Sequence, residues 1–363
     1  MRIETYRGAP FVDREEEIEF FVDWFNDVPQ RVLFVYGPKS SGKTTVIEYV
    51  IEKKLLPEKE WWQKSKYWVK YLNLREALIA SYNSFLDTFF IADEGDDVER
   101  EARVGVNLIG LKAEVLERVK KKQENLFKIF IKEIKKIADN GKRPILIIDE
   151  IQKLRDIYIQ NGNGERELLK EFLNFCIRLT KETHLSHVVI LTSNTVFIER
   201  IYNDAKMKLT SEFMKIGHLT KEKVEEWLFK EGVKSEDIEL VWEYLGGAIP
   251  LILKMFSKLR KGKDLKEFLE REKWLAYTEI NEFLAGFDDE DIKFFIKVSE
   301  EIVKNGYFNI EGIKESERKF LQKWAEKEIL FYDPLELKVT GNSRIYEKGL
   351  ELLLERRPFE RVF

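Results

Sequence analysis

The sequence is poor in the residues that build thiol and zinc chemistry, with one cysteine and three histidines in 363 residues. A single cysteine excludes a disulfide within the chain. Cys176 falls in the helical spacing Leu169, Phe172, Leu173, Cys176 and is read as a small buried hydrophobe. No histidine or cysteine cluster has zinc-ligand spacing, so any metal is expected to be held by oxygen. Long apolar runs are missing too. No stretch approaches the roughly 20 uncharged residues of a membrane span, and the opening Met1-Arg2-Ile3-Glu4-Thr5-Tyr6 is no apolar signal segment. These two absences predict a cytoplasmic protein. Charge of one sign is lacking as well: 62 basic against 66 acidic residues leave −4. A global field that weak predicts neither tight nucleic-acid nor tight membrane binding.

What is present is a 44% hydrophobic content, enough to bury real cores, over a length that exceeds one ordinary domain. The heavy use of Lys, Glu, Ile and Phe resembles thermophile composition. Short apolar runs at residues 31–36, 68–72, 145–148, 188–191 and 213–216 alternate with segments of helical period. Strands that apolar, separated by helices, predict an α/β fold: a parallel sheet with helices on both faces. Asp13 is expected to cap the first helix, with Glu16 three residues on. Residues 91–119 break the pattern. An acidic run precedes Val104, Val106, Leu108, Leu111, Ala113 and Val115 in alternation, which predicts a hairpin insertion.

After residue 218 the apolar runs cease and helices are expected over 219–283, an all-α lid. From 284 the order is helix, short apolar piece, helix, then a hairpin around Asp333-Pro334, the layout of a winged-helix domain. The expected division is 1–218 for the core, with the insertion at about 91–119, 219–283 for the lid and 284–363 for the winged helix.

Gly37-Pro38-Lys39-Ser40-Ser41-Gly42-Lys43-Thr44 fits the phosphate-binding P-loop pattern G-x-x-x-x-G-K-[ST] in full. Chance supplies such a match in roughly one chain of this length in a hundred, and here it also follows a predicted strand and opens a helix. Backbone N–H groups of that turn, with Thr45 behind it, can curl around phosphates at a helix N-terminus. Lys43 would reach the β- and γ-phosphates and Thr44 would offer a hydroxyl to Mg²⁺. The apolar run 145–148 ends in Asp149-Glu150. Two carboxylates at the end of a buried strand are costly unless a cation meets them, and Mg²⁺ would. Asp149 is then the metal-side residue, and Glu150 is placed to orient and deprotonate a water. Asn194, with Ser193 second, is the candidate sensor at the end of 188–191. The alternative at Asn194 is a loop-start residue satisfying local backbone groups. Gly246-Gly247-Ala248-Ile249-Pro250 ends one helix and starts another, which capping alone explains.

With the P-loop, Asp149-Glu150, Gly247-x-x-Pro250 and the early Phe11-Val12-Asp13-Arg14-Glu15-x-Glu17 together, the chain resembles the archaeal ATPase family in the STAND branch of P-loop NTPases, over almost its whole length. The resemblance implies ATP as substrate with Mg²⁺, and a lid in which Gly247 and Pro250 lie near the nucleotide. It also implies that Ile151-Gln152 is the usual continuation of the acid pair, and that the third unit is a winged helix. A guanine-reading [NT]-K-x-D motif is absent, which favours ATP over GTP. Arg155, Arg166 and Arg200 remain equal candidates for an arginine finger. Two outputs stand as expectations: a nucleotide-driven conformational switch acting on a protein partner, and a DNA-remodelling or DNA-loading ATPase. A third reading is a binder without turnover, which Glu150 argues against. Residues 283–363 hold 14 basic and 17 acidic side chains, net −3. That lacks the basic stripe of a DNA reader, though Lys319, Lys323 and Lys338 could form a local basic face.

Overall fold

The computed structural model describes residues 5–356 apart from 7–8, 13, 58–64, 75–80, 93–108, 112, 122–124, 156 and 162–163. Asp13 therefore lies outside the described residues. The helix it was expected to cap, α1 (Glu15–Asn26), begins with three acidic residues in its first turn, where they complement the helix dipole.

The chain then runs through β1 (Val32–Tyr36), α2 (Lys43–Tyr49) and β2 (Tyr67–Asn73). It continues through α3 (Leu126–Asp139), β3 (Arg143–Asp149), α4 (Leu168–Ile177) and β4 (His187–Thr192). The core closes with α5 (Thr195–Asn203) and β5 (Ser211–Lys215). The five strands form one sheet in the order β5-β1-β4-β3-β2, every pair parallel. The expected α/β sheet is there, with strand ends within two residues of those read from the apolar runs.

Alternation along each strand divides the core in two. Val32, Phe34, Leu146, Ile148, Val188 and Ile190 face α3, α4 and α5. Leu33, Val35, Ile145, Ile147, Val189 and Leu191 face α1 and α2. Both faces are covered, so the strands read as unbroken apolar runs rather than as an amphipathic pattern. The register aligns Tyr36 with Thr192, and Asp149 with both Leu191 and Asn73. The carboxyl ends of β1, β3 and β4 thus open on one edge, where parallel sheets hold their ligands.

The hairpin expected at residues 91–119 is not what forms on the described part. Phe90–Ala92 pairs with Ile109–Leu111 in parallel, and Ala113–Lys120 is a helix. The alternation through Val115 gives way to helical spacing, because Leu116 and Val119 bury on one face. Residues 93–108, including Val104, Val106 and Leu108, lie outside the described residues.

Beyond β5 come four helices: α6 (Lys221–Lys230), α7 (Ser235–Leu245), α8 (Ile249–Leu259) and α9 (Leu265–Leu284). They share a core of Val224, Trp227, Leu228, Val241, Ile252 and Met255. The last unit is α10 (Asp289–Asn305), β6 (Phe308–Asn309), α11 (Glu315–Glu326), β7 (Leu330–Asp333), β8 (Lys338–Gly341) and α12 (Arg344–Arg356). Its strands form a small antiparallel sheet in the order β6-β8-β7. Trp324, fully buried, stacks on Phe295 at 3.8 Å between ring centroids. The closing helix α12 was not expected from sequence. It returns to pack on α9, where a Cβ on Gly349 would meet the Ala276 carbonyl carbon at 3.1 Å.

Candidate functional site

The loop after β1 is held by backbone requirements before any ligand enters. Gly37 has φ 149°, and a Cβ there would lie 2.1 Å from the carbonyl oxygen of Ile216. Only glycine lets the loop pass that close to the strand end, whose Ile216 N–H donates to Tyr36 O at 2.8 Å. Ser40 is left-handed at φ 60°, and Ser41 N–H donates to Pro38 O at 3.3 Å. Gly42 precedes α2, so the N–H groups of Lys43, Thr44 and Thr45 face the loop's interior as the first turn of a helix.

Lys43 is buried, and its ammonium donates to Gly37 O at 3.0 Å and Pro38 O at 2.7 Å. A cation folded over the loop's own carbonyls is set where a phosphate charge would draw it. Thr44 Oγ1 donates to Asp149 Oδ2 at 2.6 Å, so the two residues expected on one metal already meet. Tyr71 OH, from β2, reaches the same oxygen at 3.4 Å.

Glu150 is buried and stands in the left-handed region at φ 63°, ψ 44°. Its N–H donates to Leu191 O at 3.0 Å, which ties the end of β3 to β4. A non-glycine residue held there is strained. The turn aims its side chain back across the strand ends, where Gln152 Nε2 donates to Glu150 Oε2. Gln152 Oε1 in turn accepts from Thr192 Oγ1 at 2.9 Å.

Asn194 is the N-cap of α5: its Oδ1 accepts from Phe197 N at 2.9 Å, and its own N–H donates to Thr192 Oγ1 at 2.9 Å. The residue that β4 brings towards Glu150 by a side chain is therefore Thr192, through Gln152. Ser193 lies between them, half-buried. Pro250 sits in the first turn of α8 and, with Lys39, Ser40, Leu251, Asn342 and Tyr346, lines a cavity of about 420 Å³ between loop, lid and last unit. Gly247 O accepts from Leu219 N at 3.1 Å, joining the lid to the turn that leaves the core. Of the arginines considered as fingers, Arg200 is exposed on α5 and Arg166 pairs with Glu171 at 3.3 Å.

Arg14 was legible only as part of a family segment, yet it is a structural member of this site. Its buried guanidinium donates to Glu17 Oε1 at 2.6 Å, Ser41 O at 2.8 Å and Gly217 O at 2.9 Å. A planar fork suits such a joint, and it fastens the phosphate loop to the turn that leads into the lid.

The last unit also reaches the loop. Lys39 pairs with Glu328, and Lys215 Nζ lies 2.8 Å from Asp333 Oδ2 and 2.7 Å from Glu336 Oε1. Tyr36 OH, at the loop's base, donates to Asp333 Oδ1 at 3.4 Å. Burial first, then the charges of Asp333 and Glu336, push the Tyr36 phenol well above its usual range, so it stays a donor. Behind the sheet edge the buried Glu199 accepts from Arg318 at 2.7 Å, from Tyr332 OH at 2.7 Å and from Gln322. His218, in the turn between core and lid, shares a 2.9 Å hydrogen bond with Asn342 O through Nε2. Burial holds its imidazole below the usual range, with Lys43 and Arg14 adding to the effect.

A family of ATPase domains found predominantly in Archaea matches residues 11–255. An uncharacterized ATP-binding protein of Methanocaldococcus jannaschii is 33% identical over 364 residues, covering 95% of this chain and 96% of its own. Another from that organism is 35% identical over 340 residues, covering 89% of each chain. One from Pyrococcus abyssi is 32% identical over 360 residues, covering 95% and 99%. Among solved structures, a Walker-type ATPase of Pyrococcus abyssi has the same fold at 15% identity, with a TM-score of 0.62, covering 97% of this chain and 99% of that one.

Proposed function

The chain belongs to the archaeal ATPase family, and from that premise we propose that it binds Mg·ATP on Gly37–Thr44, hydrolyses it, and uses the nucleotide state to set the arrangement of its core, lid and last unit. The observation that carries the reading is the 2.6 Å contact between Thr44 Oγ1 and Asp149 Oδ2 at the mouth of a full phosphate loop. Paired hard oxygen donors, one neutral and one anionic, suit Mg²⁺, which usually keeps several waters and takes few protein ligands. When bound, Mg²⁺ would neutralise phosphate charge.

In this reading, Lys43 leaves the carbonyls of Gly37 and Pro38 for the β- and γ-phosphates, while the N–H groups of residues 39–44 cradle them. Glu150 takes the proton of a water as its oxygen turns towards phosphorus. Asn194 contributes through its carboxamide nitrogen, its oxygen being committed to capping α5. Pro250 and Gly247 bound the lid side.

The divisions at 1–218, 219–283 and 284–363 belong to the same proposal. The helix-strand-helix-hairpin order of the last unit supports a winged helix, extended here by α12. Its pairing of Glu328 with Lys39 supports a nucleotide-driven switch, since the phosphate loop and the last unit share an ion pair. Among the described residues no helix is long and apolar enough to cross a membrane.

The test is Glu150→Gln. ATP affinity measured by calorimetry should stay near that of the unaltered protein, while turnover falls roughly 10²–10⁴-fold. Unaltered turnover in this variant removes Glu150 as the base.

A further inference from the structure

We propose that Gln152 is a positioning residue for hydrolysis, orienting Glu150 through a one-way hydrogen-bond relay that begins at the end of β4. The inference rests on Glu150 being the base.

The polarity of the relay follows from donor and acceptor chemistry. An ionised carboxylate only accepts, so the carboxamide must present its NH₂ to Glu150 Oε2. Its oxygen then faces Thr192, whose hydroxyl must donate at 2.9 Å. That hydroxyl is left as the acceptor for the Asn194 N–H, again at 2.9 Å. Every proton in the chain Asn194 N–H, Thr192 O–H, Gln152 N–H is thereby assigned.

The need for such a device comes from the backbone. Glu150 sits just past β3 in the left-handed region, at the start of a single 3₁₀ turn, Ile151–Leu154. A carboxyl group on a short turn has broad terminal torsions. Gln152, two residues on in that turn, holds one of its oxygens. Thr192 is fully buried and locked in the sheet, so the anchor is rigid. The relay also joins Glu150 to the peptide that caps α5, and hence to the helix carrying Glu199.

The experiment compares Gln152→Ala, Gln152→Glu, Thr192→Val and Thr192→Ser with Glu150→Gln, measuring kcat, KM and calorimetric ATP affinity on the full chain. Gln152→Ala should lower kcat about 10- to 100-fold, with ATP affinity within twofold, since a misplaced catalytic group costs rate rather than binding. Gln152→Glu keeps the shape and puts an acceptor against an acceptor, so its kcat should fall at least as far. Thr192→Val should show the same kcat loss and Thr192→Ser should restore it. In the Glu150→Gln background, Gln152→Ala should change nothing further, because the relay acts only through Glu150.

Full kcat in Gln152→Ala beside an inactive Glu150→Gln overturns the relay and leaves Glu150 as base. A further loss in the double variant also overturns it, by showing that Gln152 acts independently. Unaltered turnover in Glu150→Gln overturns both. If Gln152→Ala fails to fold, the Thr192 pair decides: equal kcat for valine and serine sinks the proposal.

Discussion

At the scale of single residues, the site is built from side chains whose partners lie far away in sequence. Thr44 and Asp149, each read from its own motif, meet across 105 positions, and Arg14 binds Ser41 and Gly217, a role that could not be read from its neighbours. The same holds for His187, which opens β4. Its Nε2 shares a 3.0 Å hydrogen bond with Asp27 O, and its ring lies edge-on to Phe25. Burial, the largest cause, pushes this imidazole down to about 4 from an ordinary 6.5. Between those two values the unfolded chain binds a proton that the folded chain refuses, so folding weakens as pH falls through that window. The loss is on the order of 3 kcal/mol once pH is below 4, and none of it is present above 6.5. Urea unfolding at several pH values should show this decline, and His187→Gln should flatten the part between 6.5 and 4, above most carboxylate titration. Equal slopes for both proteins would show that the imidazole charges freely in the fold.

At the scale of elements, the sheet and its helices follow patterns visible in the chain, and the exceptions have local causes. Residues 113–120 carry both an alternating and a helical spacing, and burial of Leu116 and Val119 decides for the helix. The helix α12 was hidden for a different reason. It contains Gly349, a weak helix former, and that glycine is the point at which α12 crosses α9. A side chain there would strike Ile280 Cδ1 at 2.9 Å and the Ala276 backbone at 3.1 Å. The isoleucine tip can turn aside, whereas the backbone cannot move without parting two helices. Gly349→Val should therefore destabilise the protein by about 1–3 kcal/mol, the usual cost of overpacking. The readout is the chemical-denaturation midpoint at constant m-value. A midpoint that stays put or rises would mean the two helices are not tightly apposed in solution.

At the scale of the whole molecule, the last unit touches the core by polar contacts around the phosphate loop, by the Glu199 cluster, and by Phe331 and Leu335, which pack against the core's apolar cluster. The Lys39–Glu328 pair is exposed on both sides, and pairs of that kind contribute no more than about 1 kcal/mol. Glu199 is buried and accepts from three donors, so its removal would leave Arg318, Gln322 and Tyr332 to find other partners. A ligand moves such an equilibrium only by its differential affinity for the two arrangements. Phosphates on the loop compete with Glu328 for Lys39, which favours release. Small-angle scattering of the Glu150→Gln protein should then give a larger radius of gyration with Mg·ATP than without. Glu199→Gln should shift the nucleotide-free profile in the same direction. Identical profiles with and without Mg·ATP, at concentrations that calorimetry shows to be saturating, would sink the switch.

The sequence by itself determined the five strands of the parallel sheet, because short apolar runs bounded by turns have few other uses. It also marked Gly37–Thr44 and Asp149-Glu150 as the candidate site, because each is contiguous and its chemistry depends on residues one or a few positions apart. Asn194 was open between sensor and helix cap, and its oxygen is found capping α5. Only the tertiary structure could join Gln152 to Thr192, Arg14 to Gly217, Lys39 to Glu328 and Glu199 to Arg318. Hydrogen bonds and ion pairs depend on distances set by sheet register and helix crossing. A parallel sheet brings strand ends together that the sequence keeps more than a hundred residues apart.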